Sequence, residues 1–125
     1  MKTHLAILLW ATNPDLPELC ATPFFHASSA AAMDVEVEIH CAARSVFLLV
    51  EGVAKRLHAG AEGEISVYDH IRQATGLGVK LLACSDALDA HAIDRRQLIP
   101  ELTGIAGATS FVARSLDTDW ATLVF

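Results

Sequence analysis

The sequence predicts a three-layer α/β/α sandwich built on about five mostly parallel strands. Apolar segments of strand length alternate with longer, helix-like segments along the whole chain. Such alternation is typical of parallel strands joined by right-handed crossovers, with helices on both faces of the sheet. The length of 125 residues matches one domain of ordinary size, and we expect a single domain over residues 1–125.

The first strand and helix are predicted from an apolar run and two helix-start signals. His4–Ala11 is almost continuously apolar, which is typical of a strand buried on both faces. Asn13-Pro14 and Thr22-Pro23 each place proline directly after a capping residue. The helix that runs through Met33 therefore either kinks at Pro23 or begins there after a short turn.

The second strand is predicted at residues 35–41, where apolar and polar side chains alternate strictly. One face is apolar, and the other carries Glu36, Glu38 and His40. That polar face predicts a solvated strand near the edge of the sheet. A short buried helix is expected next, at residues 43–50.

The remaining elements are read from glycines, caps and apolar spacing. Residues 52–64 are expected to form a mobile loop, and Ser66 caps a helix that runs to about Thr75. Gly76 and Gly78 then break the chain before a second buried strand. The later elements are that strand, Val79–Ala83; a helix from Ser85 with Leu88, His91 and Ala92 on one side; a helical turn, Leu98–Leu102; a weak strand, Thr103–Gly107; a helix, Ala108–Ser115; and a last strand, Ala121–Phe125.

Composition excludes several classes of protein. A net charge of −6 argues against a nucleic-acid partner, because binding a duplex requires Lys and Arg to neutralise many phosphates. The longest run without a charged side chain, residues 19–33, is shorter than the roughly 20 apolar residues of a spanning helix. The apolar segment after Met1 is too short for a secretory signal, so we expect a cytoplasmic protein with no membrane association. The positive mean hydropathy of +0.39 suggests an apolar subunit interface.

Cys84 is the first candidate for chemistry, because it follows a buried strand and precedes a helix. Ligands of such sheets bind beyond the carboxyl ends of the strands, and a helix N-terminus favours thiolate. Asp86 and Asp89 oppose this effect, because nearby negative charge raises a thiol pKa. Position alone favours a packed, structural cysteine.

Cys41 is the second candidate, beside His40 at the end of the second strand. Successive strand residues point to opposite faces, so the two side chains do not meet easily, and burial of Cys41 is favoured. Cys20 is expected to be a packing residue. The three cysteines form no CxxC pair, the histidines form no metal-ligand pair, and no phosphate-binding loop is present. We therefore expect free thiols, no metal and no cofactor.

The segment GVKLLACSDAL, residues 78–88, resembles the DsrE/DsrF-like (YchN-like) proteins of sulfur relay. Similar pieces in the same order extend the resemblance from about His4 to Phe125. It implies a flavodoxin-like (DsrEFH-like) sandwich that assembles into homotrimers or homohexamers. In the family, the cysteine that matches Cys84 takes sulfur as a persulfide from a donor protein and passes it to an acceptor protein. Family members serve tRNA thiolation or dissimilatory sulfur oxidation.

Two functions follow from these observations. The first is a persulfide carrier or sulfurtransferase, in which Cys84 holds sulfane sulfur. Ser85 and backbone N–H groups would stabilise the anion, and Asp86 would keep the surroundings polar. Cys41 would act as a second thiol only if the fold brings it near Cys84. The alternative is a non-catalytic oligomeric module that binds a small ligand or a partner and in which Cys84 is merely packed.

Overall fold

The computed structural model describes residues 1–60 and 65–125. Its sheet has five strands in the order β4-β3-β2-β1-β5, and all four pairings are parallel. The strands are β1, His4–Leu9; β2, Glu36–Cys41; β3, Lys80–Cys84; β4, Gly104–Ala106; and β5, Trp120–Val124. The α-helices are α1, Thr22–Ala32; α2, Val67–Gly76; α3, Ser85–Ala90; and α4, Ala108–Ser115. Short 3-10 helices occupy Pro17–Leu19, Ala43–Leu49, Ala54–Arg56 and Arg95–Gln97. The predicted fold class is confirmed.

The direction of the crossovers decides which face each helix covers. The chain steps from β1 to β4 in one direction across the sheet, and right-handed crossovers then place α1, α2 and α3 on one face. The step from β4 to β5 runs back across the sheet and places α4 on the other face. Side-chain contacts agree with this placement, since Arg114 and Phe111 of α4 contact Glu38 and His40 of β2.

The main hydrophobic core lies on the α1 and α2 face of the sheet. Alternate residues of the three central strands are almost fully buried there, among them Leu5, Ile7, Leu9, Val37, Ile39 and Leu81. Phe24 and Ala27, which lie three positions apart on one face of α1, complete the core. Each buried aliphatic side chain of this kind contributes roughly 1.5–3 kcal/mol relative to an exposed one.

Among the four α-helices of the described residues, α2 alone starts at a side-chain cap. Ser66 caps α2, because its Oγ accepts the Asp69 N–H at 3.1 Å while the Asp69 carboxylate accepts the Ser66 N–H at 3.0 Å. Helix α1 begins at Thr22 after a short 3-10 turn, so the second of the two expected arrangements is found. Asn13-Pro14 starts no helix; the Asn13 side chain accepts the Asp15 N–H at 2.9 Å and forms a local turn instead.

Strand β2 lies at the centre of the sheet, between β1 and β3, so the prediction of an edge strand is wrong. Glu38 and His40 are only 8% and 5% exposed, although the alternation of β2 suggested a solvated face. The reason is that α4 covers this face and supplies Arg114 as a partner for Glu38. The exposed Glu36 alone fits the prediction.

Three smaller predictions need correction or restriction. The expected helical turn at Leu98–Leu102 is a single hydrogen-bonded turn, in which the Leu102 N–H donates to the Ile99 carbonyl at 3.3 Å, and an unpredicted 3-10 helix precedes it at Arg95–Gln97, capped by Asp94 through the Arg96 N–H at 2.8 Å. Helix α3 ends at Ala90, and Ala92 follows with a φ of 52°. The predicted loop at residues 52–64 contains the 3-10 turn Ala54–Arg56, and its last four residues, 61–64, lie outside the described residues.

Candidate functional site

A crevice forms where the connections after two neighbouring strands leave on opposite faces of the sheet. The chain passes from β3 to α3 on one face and from β4 to α4 on the other, and β3 and β4 are neighbours. Ligands of open parallel sheets bind at such a switch point, beyond the carboxyl ends of the strands. The topology therefore directs attention to Cys84 at the end of β3 and Ala106 at the end of β4.

A cleft of about 220 Å³ occupies this switch point. We call it the Cys84 cleft, and its lining residues are Leu8, His40, Cys41, Ala42, Leu82, Cys84, Ala106, Gly107, Ala108, Phe111 and Val112. Most of these residues are apolar, and the titratable side chains among them are His40 and the two cysteines. An apolar pocket with a few convergent polar groups is the usual form of a small-ligand site.

A larger depression of about 600 Å³ lies at the opposite, amino-terminal ends of the strands. Its lining carries both signs of charge, including Glu36, Lys80 and Arg114. Three of its charged groups are already paired, since Glu36 contacts His4 at 2.9 Å and Glu38 contacts Arg114. We therefore place the candidate site in the smaller Cys84 cleft, where the thiol lies.

Cys84 lies at the end of β3 and at the N-cap position of α3, as the sequence predicts. Its register partner in β4 is Ala106, so a small side chain borders it on that side. Cys84 is partly exposed, whereas Cys20 and Cys41 have no exposed surface. Among the three thiols, Cys84 is thus the one that a reagent in solution can reach.

The other two thiols are sealed and poorly ionised. Burial raises the pKa of Cys41 to about 12, although a hydrogen bond with Ser45 partly offsets that effect. Burial, together with the nearby charge of Glu18, raises the pKa of Cys20 to about 11. The Cys20 thiol also donates to the carbonyl oxygen of Asn13 at 3.2 Å. Since the thiolate is the nucleophile, neither side chain is suited to sulfur chemistry in the folded protein.

Cys41 and Cys84 both line the cleft but belong to opposite faces of the sheet. Cys41 pairs in register with Ala83, so strand alternation places Cys84 on the other face. We expected Cys41 to act as a second thiol only if the fold brings it near Cys84. The strand register does not support that role, because the two side chains point to opposite faces. Ser85 is half-buried and Asp86 is exposed, and neither belongs to the residues that line the cleft.

His40 enters the cleft from β2 as part of a buried polar chain. Its Nε2 lies 3.0 Å from Oε2 of Glu38, and Arg114 holds the same carboxylate with two contacts, of 3.1 and 3.2 Å. The Arg114 guanidinium also stacks over Trp120 at 4.3 Å. Burial alone would raise the pKa of Glu38, but the hydrogen bonds from Arg114 and His40 outweigh it and lower that pKa. Glu38 is consequently a carboxylate at neutral pH.

Sequence reasoning named His40 but missed Glu38, Arg114 and Phe111 as residues around the site. The spacing of Glu38 and His40 does place both on one strand face, and this was the available signal. Arg114 lies 76 positions from Glu38, and nothing local in the sequence connects them.

Within residues 1–60 and 65–125, no group of three or more His, Cys, Asp or Glu side chains could hold a metal ion. No helix of the same residues is long and apolar enough to cross a membrane.

Comparison with known proteins identifies the fold. No protein-family model matches the sequence, and no curated protein matches it either. Among solved structures, the YchN protein of E. coli superimposes over 100% of both chains with a TM-score of 0.76 and 15% identity. A protein of unknown function from Methanobacterium thermoautotrophicum matches over 98% of both chains, with a TM-score of 0.69 and 17% identity. Another, from Bacteroides thetaiotaomicron, covers 98% of this chain and 95% of its own, with a TM-score of 0.66 and 14% identity. The chain therefore has the five-stranded parallel α/β fold of the YchN protein, the DsrE-like fold.

Proposed function

We propose that the protein is a sulfur carrier that holds sulfane sulfur as a persulfide on Cys84. The observation that carries the proposal is the contrast among the three thiols. Cys84 is accessible at an apolar cleft on the topological switch point, whereas Cys20 and Cys41 are sealed and have raised pKa values. The resemblance of residues 78–88 to the sulfur-relay proteins supports the same residue.

The shape and lining of the cleft favour a protein as the sulfur donor. Only three of the lining residues carry titratable side chains, none of them a lysine or arginine that would attract a free polysulfide anion. A volume of about 220 Å³ suits one side chain or a short tail that carries a persulfide. We propose protein donors and acceptors, action in the cytoplasm where unpaired thiols stay reduced, and a homotrimeric or homohexameric carrier.

The second candidate function is a non-catalytic module that binds a small ligand or partner in the same cleft. The apolar lining favours it, and so does exposed Asp86 in the first turn of α3, since negative charge near a thiol disfavours thiolate. The two functions differ in whether Cys84 forms a covalent bond with sulfur.

Mass spectrometry of the intact protein and its peptides separates the two functions. The wild type and the variants Cys84→Ser, Cys41→Ser and Cys20→Ser are incubated with polysulfide, or with a cysteine desulfurase and cysteine. We expect one sulfur atom to be added, reversibly by reductant, in every protein except Cys84→Ser. Cys41→Ser and Cys20→Ser are the matched controls, because each removes one sealed thiol. If no sulfur reaches Cys84 from either donor, and the thiol is slow towards alkylation, the binding module is the better account.

A further inference from the structure

His40 has one ring nitrogen committed to Glu38 and the other open to the Cys84 cleft. The described residues provide a hydrogen-bond partner for Nε2 but none for Nδ1. They also leave no buried side-chain nitrogen or oxygen without a partner, so Nδ1 is not sealed inside the protein. Because His40 lines the cleft and is 95% buried, the open nitrogen faces the cleft.

The ionised carboxylate of Glu38 fixes which nitrogen carries the proton. A carboxylate is an acceptor only, so Nε2 must donate, and in the neutral ring Nδ1 is then a free acceptor. Arg114 fixes the carboxylate from α4 with a two-pronged contact. Phe111 packs edge-on against the imidazole, with ring centroids 5.5 Å apart, and limits its rotation.

His40 and Cys84 lie on the same face of neighbouring strands. His40 is in register with Leu82, and Cys84 follows two residues later on that face. Strands about 4.8 Å apart with a rise of about 3.3 Å per residue place the two backbone positions roughly 8 Å apart. With one water between Nδ1 and the thiol, this spacing is within the reach of a general base.

We propose that His40 is the general base that activates Cys84, and that Glu38 and Arg114 are its positioning residues. Nδ1 takes the thiol proton, which leaves a Cys84 thiolate and a His40 imidazolium whose Nε2–H still donates to Glu38. The other charged side chains on this face of the described strands are exposed: Glu36, which pairs with His4, and Lys80, which is in register with Glu38. Exposed Asp86, in the first turn of α3, is the nearby negative charge that opposes a thiolate. The thiolate and the imidazolium form an ion pair inside an apolar cleft, where their attraction is stronger than in water.

The same residue completes sulfur transfer, in a step that rests on the proposed function. The Cys84 thiolate attacks the outer sulfur of the donor persulfide, and the S–S bond of the donor breaks as the new S–S bond forms. The donor leaves as a thiolate and takes the proton back from the His40 imidazolium. The products are a persulfide on Cys84 and a donor thiol, and no external oxidant or reductant is consumed.

The pH profile of Cys84 alkylation tests the role of His40 without any sulfur donor. Initial rates with iodoacetamide, assigned to Cys84 by peptide mass spectrometry, are compared in the wild type, His40→Gln and Glu38→Gln. An unassisted thiol is only a few per cent thiolate at neutral pH, so we expect about a tenfold slower reaction in His40→Gln at pH 7. The rise of its rate should move to higher pH, and Glu38→Gln should lie between the two. The matched control is His58→Gln, which removes an exposed histidine and should leave the profile unchanged. Superimposable profiles for the wild type and a folded His40→Gln would overturn the proposal.

A measurement on the wild type covers the case in which His40→Gln fails to fold. Nitrogen-15 NMR reports the tautomer of His40, and we expect a hydrogen on Nε2 and a free Nδ1 whose signal shifts when Cys84 is alkylated. A hydrogen on Nδ1 would contradict the assignment. If Cys84 takes up sulfur but His40→Gln leaves the pH profile unchanged, the role of His40 is contradicted and the carrier function stands. If His40→Gln shifts the profile but Cys84 takes up no sulfur, the carrier function is contradicted and the role of His40 stands.

Discussion

At the scale of single residues, Glu38 shows how a charge is kept inside this fold. Its side chain is 10% exposed, yet it stays ionised because Arg114 and His40 both donate to it. Breaking a buried ion pair by removing one charge leaves the other uncompensated. The pair therefore constrains α4 against the sheet and holds the His40 ring at the cleft.

Glu38 should contribute stability that is lost in acid. Its pKa in the folded protein is below the ordinary value of 4.5, so its contribution is full above that value and disappears as the pH falls through the lowered pKa. We expect Glu38→Gln to reduce the free energy of unfolding at pH 7 by roughly 1.5–3 kcal/mol, the usual range for hydrogen bonds to a charged group. The difference from the wild type should be smaller at about pH 3 than at pH 7, because the carboxylate begins to take up its proton.

Urea denaturation at both pH values measures this effect. The matched control is Glu36→Gln, which removes an exposed carboxylate from its pair with His4 and should change stability by less than about 0.5 kcal/mol. An equal loss for Glu38→Gln at both pH values would show that the effect comes from packing and not from ionisation.

At the scale of elements, the helices differ in how their first turns are capped. Helix α2 has a complete capping box between Ser66 and Asp69, whereas the Cys84 N-cap of α3 makes no side-chain capping hydrogen bond. An uncapped end leaves backbone N–H groups free to interact with an anion. A side-chain cap therefore occupies an N–H group in the first turn of α2, whereas no side chain caps the first turn of α3.

Ser66→Ala should destabilise the protein by about 1 kcal/mol, because it removes the oxygen that accepts the Asp69 N–H. Thermal unfolding followed by circular dichroism measures the change. Ser29→Ala, at an exposed position inside α1, is the control and should leave stability nearly unchanged or slightly raised, since alanine has the better helix propensity. Similar melting temperatures for Ser66→Ala and the wild type would contradict a capping role.

At the scale of the whole molecule, several large apolar side chains remain exposed outside the core. Leu116 is 80% exposed, Trp10 59%, Val124 55% and Val112 50%. Helix α4 has no buried residue, although it is the helix that covers the Glu38 face. Large exposed apolar area on a soluble domain marks an interaction surface.

These exposed apolar side chains predict self-association, and the resemblance to the sulfur-relay proteins implies a homotrimer or homohexamer. Sedimentation velocity over a dilution series from high to low micromolar concentration should show one species of three or six chains. An apolar interface should persist in high salt, whereas an ionic one would weaken. A monomer throughout the series would leave the exposed apolar side chains without this explanation.

The sequence by itself determined the strand and helix order and the place of Cys84 between β3 and α3. Both depend on local features, namely side-chain periodicity and caps, which act within a few residues. The confirmed fold class follows from that order, because right-handed crossovers leave few arrangements for alternating strands and helices.

Only the tertiary structure decided the position of β2 and the surroundings of the cleft. Alternation shows that Glu38 and His40 share a face, but it does not show what covers that face. The cover is α4, and the partner of Glu38 is Arg114, which lies 76 positions away. The edge prediction failed because a polar strand face is equally compatible with solvent and with a buried ion pair, and the choice between them depends on long-range packing.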